Sequence, residues 1–300
     1  MKSVLITGAR GFIGHSIVSH LLEKTDWLLV CPIREPKTPD RLLELGSNDR
    51  IVHEFYGKID IIIHASAEPS TLACIEDPVG AVHSNVIETL KVLEFARTQP
   101  IEHFIFISST GVYDDVNGEP RREDALCTSM NMYAATKLAC EQMCMAYMNS
   151  YGVPCSVARL SDVFGARSQK TRLPTSALRK LLNDEKFIMH CINGEIAKRN
   201  WCSSVDVADM IMFIIHQKPG GIYNVSGAEC MSNLEFISKI AKCMGKTVKY
   251  ELGYENIQGR NVAHTAPPDL IWALGWRPEK SFENRIADFV EWTLAHPEWY

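Results

Sequence analysis

A tyrosine and a lysine stand one helical turn apart in the run YAATK at 133–137, and together Tyr133 and Lys137 can move a proton. On a helix, positions i and i+4 leave the same face, so phenol and ammonium would lie side by side. A free phenol titrates near pH ~10, so acid–base work near neutrality needs its phenolate favoured by roughly 3 units, about 4 kcal/mol. Lys137 is the evident source of that stabilisation. The pattern is short, and taken alone it describes an ordinary surface pair equally well. A third group changes the reading. The apolar run FIFI at 104–107 ends in Ser108, Ser109 and Thr110, and the carboxyl ends of buried parallel strands are where open sheets face their ligands. A serine there often forms a turn or caps a helix. Beside Tyr133 and Lys137, Ser109 reads as the third member of a Ser/Tyr/Lys catalytic set.

Such a set needs something to react with, and the amino-terminal stretch supplies it. The apolar run KSVLIT at 2–7 leads into Gly8, Ala9, Arg10, Gly11, Phe12, Ile13 and Gly14, after which Ile17, Val18, Leu21 and Leu22 continue with helical spacing. A strand therefore enters a tight turn and a helix. Gly8 and Gly11 let the backbone turn and approach a pyrophosphate, Gly14 permits close packing of helix on strand, and the free N–H groups of the helix start attract anions. A second strand at 27–31 completes the setting that a dinucleotide-binding motif requires.

Around these residues the chain alternates strands and helices. Strands are expected near 2–7, 27–31, 50–53, 59–64, 101–107 and 153–159, with apolar interiors rich in Ile and Val as in a parallel sheet covered on both faces. The span 37–58 is short for a full helix and strand, so that edge of the sheet should be abbreviated. After Gly165 comes an irregular stretch rich in Pro, Arg and Lys, then helix from about Thr175. The fold class is α/β: a doubly wound parallel sheet with a smaller α/β lobe.

Three hundred residues, 46% of them hydrophobic, can bury a large core. The net charge of -5 argues against nucleic acid and acidic membrane surfaces as partners. The ten cysteines include no Cys-x-x-Cys; Cys140 and Cys144, among Met143, Met145 and Met148, read as core or half-buried helix face rather than metal ligands. Reduced thiols fit a cytoplasmic protein. The run at 2–7 is too short for a leader and is followed by Arg10. The later apolar run at 210–215 is far below the ~18 residues of a membrane helix.

With these motifs in order, the chain resembles the extended short-chain dehydrogenase/reductase superfamily, the branch of sugar-nucleotide epimerases, dehydratases and reductases. The resemblance spans nearly the whole length. Besides the glycine turn, the Ser109 strand and Tyr133/Lys137, it rests on DIIIHASA at 60–67, NVIET at 85–89, RLSDVFG at 159–165, RNWCSSVDVA at 199–208 and LGWRP at 274–278. It implies a Rossmann dinucleotide domain at 1–165, to which a segment near 204–225 returns, and a substrate lobe mainly at 166–300. It places His64, Ala65, Ser66 and Ala67 in the cofactor loop and has Asn85 ordering the backbone near Lys137. Lys137 would hold the cofactor ribose and lower the phenol's pKa. Thr110, Asp162, Arg167 and Arg199 would face the substrate, with Arg172 flanking them; Asp162 stands where many relatives carry an asparagine. Arg121 and Arg122 read as solvent-facing. The implied partners are a nucleotide-sugar and a second copy of the chain, as a homodimer.

Cofactor and reaction remain to be divided. An enzyme specific for NAD(H) places an acid at the end of the second strand, which here falls on Pro32. Arg34, with Lys37, and Arg10 in the turn are placed to pair with a 2′-phosphate. This favours NADP(H), the alternative being that Glu35 supplies the acid and Arg34 covers the adenine. Dehydratases of the superfamily follow the catalytic hydroxyl with an Asp-Glu pair, whereas this chain has Thr110 and Gly111. The expectation is redox at one carbon: a 4-ketoreductase first, a 4-epimerase second. A dinucleotide-sensing protein without catalysis is the reading from another class, and the presence of Ser109, Tyr133 and Lys137 together opposes it.

Overall fold

A computed structural model of the chain describes residues 1–32, 48–113, 119–192, 194–254 and 263–300. In chain order its elements are β1 (Ser3–Thr7), α1 (Phe12–Lys24), β2 (Leu28–Val30), β3 (Ile51–Val52), β4 (Ile61–His64), α2 (Thr71–Glu76), α3 (Pro78–Ala81), a π-turn (Val82–Ile87), α4 (Glu88–Arg97), β5 (His103–Ser109), a 3-10 turn (Thr110–Val112), α5 (Met132–Tyr151) and β6 (Cys155–Leu160). There follow β7 (Val163–Phe164), α6 (Leu173–Leu182), β8 (Phe187–Ile192), β9 (Glu195–Ile196), β10 (Lys198–Asn200), β11 (Cys202–Ser203), α7 (Ser204–Ile215), β12 (Ile222–Val225), β13 (Cys230–Ser232), α8 (Asn233–Cys243), β14 (Tyr250–Tyr254), β15 (Ala263–His264), α9 (Asp269–Ala273) and α10 (Phe282–Ala295).

Seven strands form one sheet in the order β12-β6-β5-β4-β1-β2-β3, and every neighbouring pair is parallel. Because both faces are covered, the strands bury side chains regardless of alternation: Ile61, Ile62 and Ile63 are all fully buried. One face packs against α1 and α7 through Ile17, Val18, Leu21, Met210, Ile211 and Ile214. The other packs against α4 and α5 through Leu93, Cys140 and Cys144, with Cys155 of β6 beneath. Cys140 and Cys144 are thus core residues, as the helix pattern suggested. The edge strand β3 has two residues, the abbreviated edge expected, although 33–47 lie outside the described residues.

After β6 the chain builds a second core from Phe164, Leu178, Phe187, Trp201, Phe236, Ile240 and Phe289, contributed mainly by α6, α8 and α10. Trp201 stacks on Phe236 at 4.1 Å between ring centroids. Three small sheets, β13-β10-β15, β14-β8-β9 and β11-β7, flank it. The chain then returns: Ser203 caps α7 by accepting from the Asp206 N–H, α7 lies on α1, and β12 joins the large sheet beside β6.

Candidate active site

In the large sheet β1, β2 and β3 run outward one way from β1, while β4, β5, β6 and β12 run the other way. The order therefore reverses between β1 and β4, and in open α/β sheets ligands bind in the crevice outside the carboxyl ends at that point. Gly8 closes β1 there with φ 71°, a left-handed conformation that favours glycine. A Cβ on Gly8 would come within 2.7 Å of the Ser66 amide nitrogen, so the glycine turn and the loop 65–67 after β4 lie against each other. A Cβ on Gly14 would reach 2.1 Å from the Gly8 carbonyl oxygen. The N-cap of α1 is Gly11, which offers no side-chain acceptor, and its first turn carries no acid. The amide groups that an N-cap side chain would otherwise engage are left for an anion, and these residues fit the diphosphate of a dinucleotide.

One strand further along, β5 ends in Ser109. Its hydroxyl accepts from the Gly111 N–H at 3.1 Å, so the serine caps the 3-10 turn and also meets the phenol of Tyr133 in a hydrogen bond. Helix α5 brings Tyr133 in at its first turn. Asn131 starts that helix by accepting from the Ala134 N–H at 3.0 Å, and Gly152 ends it at φ 71°. Lys137 is buried, donates from Nζ to the Ile107 carbonyl at 2.9 Å and lies 5.0 Å from the Phe106 ring centre. Ser109, Tyr133 and Lys137 are thus brought to one end of β5 by two elements.

The electrostatics differ from the sequence expectation. Burial pushes the Tyr133 phenol above its ordinary range, with the Ser109 hydrogen bond and the Arg172 charge opposing it. Burial lowers the Lys137 ammonium to about 8, against the carboxylate of Glu141 and neighbouring thiols. The lowering of the phenol expected from Lys137 is not present, because desolvation of the phenolate outweighs the favourable partners.

Asn85 sits buried in the π-turn and ties three segments together. Its Oδ1 accepts from the Glu68 N–H at 2.7 Å, and its Nδ2 donates to Thr136 Oγ1 at 3.0 Å, next to Lys137. Thr136 in turn donates to the Tyr133 carbonyl at 2.8 Å. His64, fully buried at the end of β4, has Nδ1 2.6 Å from Thr7 Oγ1 and Nε2 2.9 Å from Thr89 Oγ1. Burial and the Lys137 charge lower it to about 3, so it is neutral.

The residues expected to face a substrate are arranged less uniformly. Arg199 on β10 and Asp162 form an ion pair at 3.1 Å, with side chains 15% and 38% exposed. Arg199 also donates to the Lys198 carbonyl. Arg167, with φ 64°, lies over Trp292 of α10 at 4.7 Å from the ring centre. Arg172 precedes α6, and its charge reaches Tyr133. Thr110 is buried in the 3-10 turn. Arg10 is half-buried within the glycine turn, and Phe12 and Ile13 are half-buried against the core. Arg34, Glu35 and Lys37 lie outside the described residues. Arg122 is exposed, but Arg121 is half-buried, because its carbonyl accepts from Asn224 and its N–H donates to the Thr265 carbonyl.

A buried network behind Ser109 was not anticipated. Glu141 accepts from Ser108 Oγ at 2.5 Å and from Arg159 Nε and Nη2 at 3.1 and 2.7 Å; the side chains of Glu141 and Arg159 are 1% and 4% exposed. Arg159 Nη1 donates to Tyr113 Oη at 2.8 Å, and Tyr113 donates to Asn224 of β12. A carboxylate four residues after Lys137 on an otherwise apolar stretch was the available signal. Among the described residues no group of three His, Cys, Asp or Glu is placed to hold a metal, and no helix is long and apolar enough to cross a membrane.

A family model described as the NAD dependent epimerase/dehydratase family matches residues 4–226. The chain is 25% identical to the low-salt glycan biosynthesis protein Agl12 of Haloferax volcanii over 98% of this chain and 99% of that one. It is 24% identical to a dTDP-glucose 4,6-dehydratase of Escherichia coli, covering 99% and 94%. The UDP-glucuronic acid 4-epimerase of Bacillus cereus, solved with UDP-glucuronic acid and NAD, superposes with a TM-score of 0.86 at 22% identity, covering 98% of this chain and 99% of that one.

Proposed function

Because this chain belongs to the NAD-dependent epimerase/dehydratase family, we propose that it performs redox chemistry on one carbon of a nucleotide-linked sugar, as a 4-ketoreductase. The observation that carries this reading is the convergence of Ser109, Tyr133 and Lys137 at the end of β5, one strand from the crevice where Gly8 meets Ser66. When bound, the reduced nicotinamide supplies the hydride that reduces a keto carbon. Ser109 Oγ and Tyr133 Oη orient the keto oxygen by hydrogen bonds, and Tyr133 Oη delivers the proton that balances the hydride. Lys137, its ammonium lowered to about 8 by burial, would donate hydrogen bonds to the ribose hydroxyls when the dinucleotide is bound. The turn 8–14 and the loop 64–67, with Asn85 behind it, hold the dinucleotide.

Elimination of water needs a further acid and base. Thr110, buried, and Gly111 follow Ser109 and offer neither, while Asp162 is engaged by Arg199. Arg199, Arg172 and Arg167 are the residues we assign to a substrate diphosphate and its flank, and residues 166–300 to the substrate lobe. The cofactor reading remains NADP(H), supported by Pro32, exposed at the end of β2 in place of an acid. A 4-epimerase with NAD is the second reading, favoured by the family's dependence on NAD. Incubating the protein with NADPH or NADH and UDP- or dTDP-linked 4-keto sugars, while following absorbance of the reduced cofactor, tests it. Stoichiometric oxidation with a keto sugar supports the reductase. Interconversion of 4-epimers without net oxidation replaces it with the epimerase, and a 4-keto-6-deoxy product from a nucleotide-hexose overturns both.

A further inference from the structure

Three segments that the proposed function uses separately are connected by two runs of hydrogen bonds that meet at Asn85, one ending on its main-chain carbonyl and the other starting from its side-chain amide, and their proton directions can all be assigned. The Asn85 carbonyl can only accept, and Thr89 Oγ1 lies 2.5 Å from it, so the Thr89 hydroxyl proton points there. The Cys140 thiol, 3.4 Å from the same carbonyl and 3.5 Å from Thr89 Oγ1, is the weaker donor. With its one proton committed, Thr89 Oγ1 can only accept from His64 Nε2 at 2.9 Å. His64 is neutral, so Nδ1 is bare and accepts from the Thr7 hydroxyl at 2.6 Å. Thr7 Oγ1 in turn accepts the Ser66 N–H at 3.3 Å.

The first run therefore reads Ser66 to Thr7 to His64 to Thr89 to Asn85, and the second goes from Asn85 through Thr136 to the Tyr133 carbonyl. One end is the loop that lies against Gly8; the other is the first turn of the catalytic helix. We infer that His64, as the Nε2–H tautomer, is a positioning residue that joins the dinucleotide loop to the catalytic helix, its Nδ1 face setting the loop and its Nε2 face setting Tyr133 through Thr89 and Asn85. The inference rests on the assignment of the loop and of Tyr133 made above. Met or Leu at this position would fill the space and leave the Thr7 hydroxyl proton without its acceptor and Thr89 Oγ1 without its imidazole donor.

The two faces can be separated. An asparagine at 64 reaches where Nδ1 is, and a glutamine reaches where Nε2 is. In His64→Asn and Thr89→Val, kcat on the nucleotide-sugar turned over by the unmutated chain should fall about tenfold, the equivalent of one lost hydrogen bond, with the NADH and NADPH Kd within about twofold. In His64→Gln the pattern should invert: the Kd for NADH and NADPH rises about tenfold and kcat falls by less than about threefold. Thr89→Ser, which keeps the hydroxyl, should restore kcat. Long-range proton–nitrogen NMR of the full chain labelled at histidine should show one neutral imidazole protonated at Nε2 across pH 6 to 8, and its signal should vanish in His64→Gln. An Nδ1–H or charged imidazole overturns the inference, as do variants that change only the melting temperature while kcat and Kd stay level. Should the unmutated chain turn over no nucleotide-sugar, the functional reading falls while the tautomer and the Kd pattern still decide this one.

Discussion

The Tyr133 phenol is held above its ordinary range by burial, opposed by the Ser109 hydroxyl and the Arg172 charge, so in this protein it is a proton donor before it is a base. Tyr133→Phe removes one oxygen from a partly buried ring and should leave fold and cofactor affinity intact. Turnover should fall by ~10² to 10⁴, as for loss of a general acid, which steady-state kinetics on the active substrate would measure. Near-normal turnover would leave the half-buried Tyr133 and the buried Lys137 a structural pair with no acid–base role. Cofactor choice is also decided by single side chains. With Pro32 where an acid would repel a 2′-phosphate, NADPH should bind more tightly than NADH, and Arg34→Ala should erase much of that difference by removing a charge-assisted contact typically ~1.5 to 3 kcal/mol in strength. Equal calorimetric affinities in the unmutated chain would refute it. At this scale the meeting of Ser109, Tyr133 and Lys137 was legible, because a strand-end serine and an i, i+4 pair on the next helix are brought to one place by the sheet order. The Asp162 pairing of Arg199 was not, since it joins residues from β10 and from the loop between β6 and β7.

Helix α5 is held from beneath as well as along its length. Glu141 receives Ser108 and Arg159 in a site where both charges are almost fully enclosed, so the pair's strength lies in its completeness. Glu141→Gln should leave the Arg159 guanidinium buried without its counter-charge and cost about 3 to 5 kcal/mol in urea unfolding. Glu141→Leu combined with Arg159→Met should recover much of that loss; equal destabilisation in single and double variants would show that the ion pair is not the source. The alternation of strands and helices was readable because apolar runs covered on both faces lack a period of two, as in Ile61, Ile62 and Ile63. The π-turn at Val82–Ile87 was not, because Asn85 directs that widened turn through partners at 68 and 136 that spacing cannot reveal.

For the molecule as a whole, buried polar groups set the response to acid. His64 has a folded pKa of about 3 against an ordinary 6.5, so the unfolded chain binds more protons between those values and stability must fall as pH falls through that window. His103, lowered by burial, adds to the same limb. Asp209 acts lower down. Its carboxylate is held below the usual 3.8 by hydrogen bonds from His20 and Trp276, so its contribution is present above 3.8 and lost as pH drops further. The urea midpoint should decline steadily from pH 6.5 toward 4, and His64→Gln should flatten that decline without abolishing it. A midpoint independent of pH in this range would mean that the imidazole is solvated. The parallel sheet was legible in its apolar runs, and the place of its crevice in the glycine turn, which closes β1 at the point where the strand order reverses. The second core was less so: it is assembled from Phe164, Trp201, Phe236 and Phe289, separated along the chain and united by ring packing.

Cys140, Cys144 and Cys155 are sealed between α5 and β6, directly beneath the helix that carries Tyr133, whereas Cys230 and Cys243 are exposed. Burial raises the Cys140 thiol, and contact with Cys155 together with burial raises that of Cys144, so alkylating reagents find almost no thiolate there until an opening returns the thiols to water. The chain thus carries its own clock. The exposed pair labels at once and sets zero time, and the slow labelling of the sealed trio counts how often α5 lifts from the sheet, with or without an added dinucleotide.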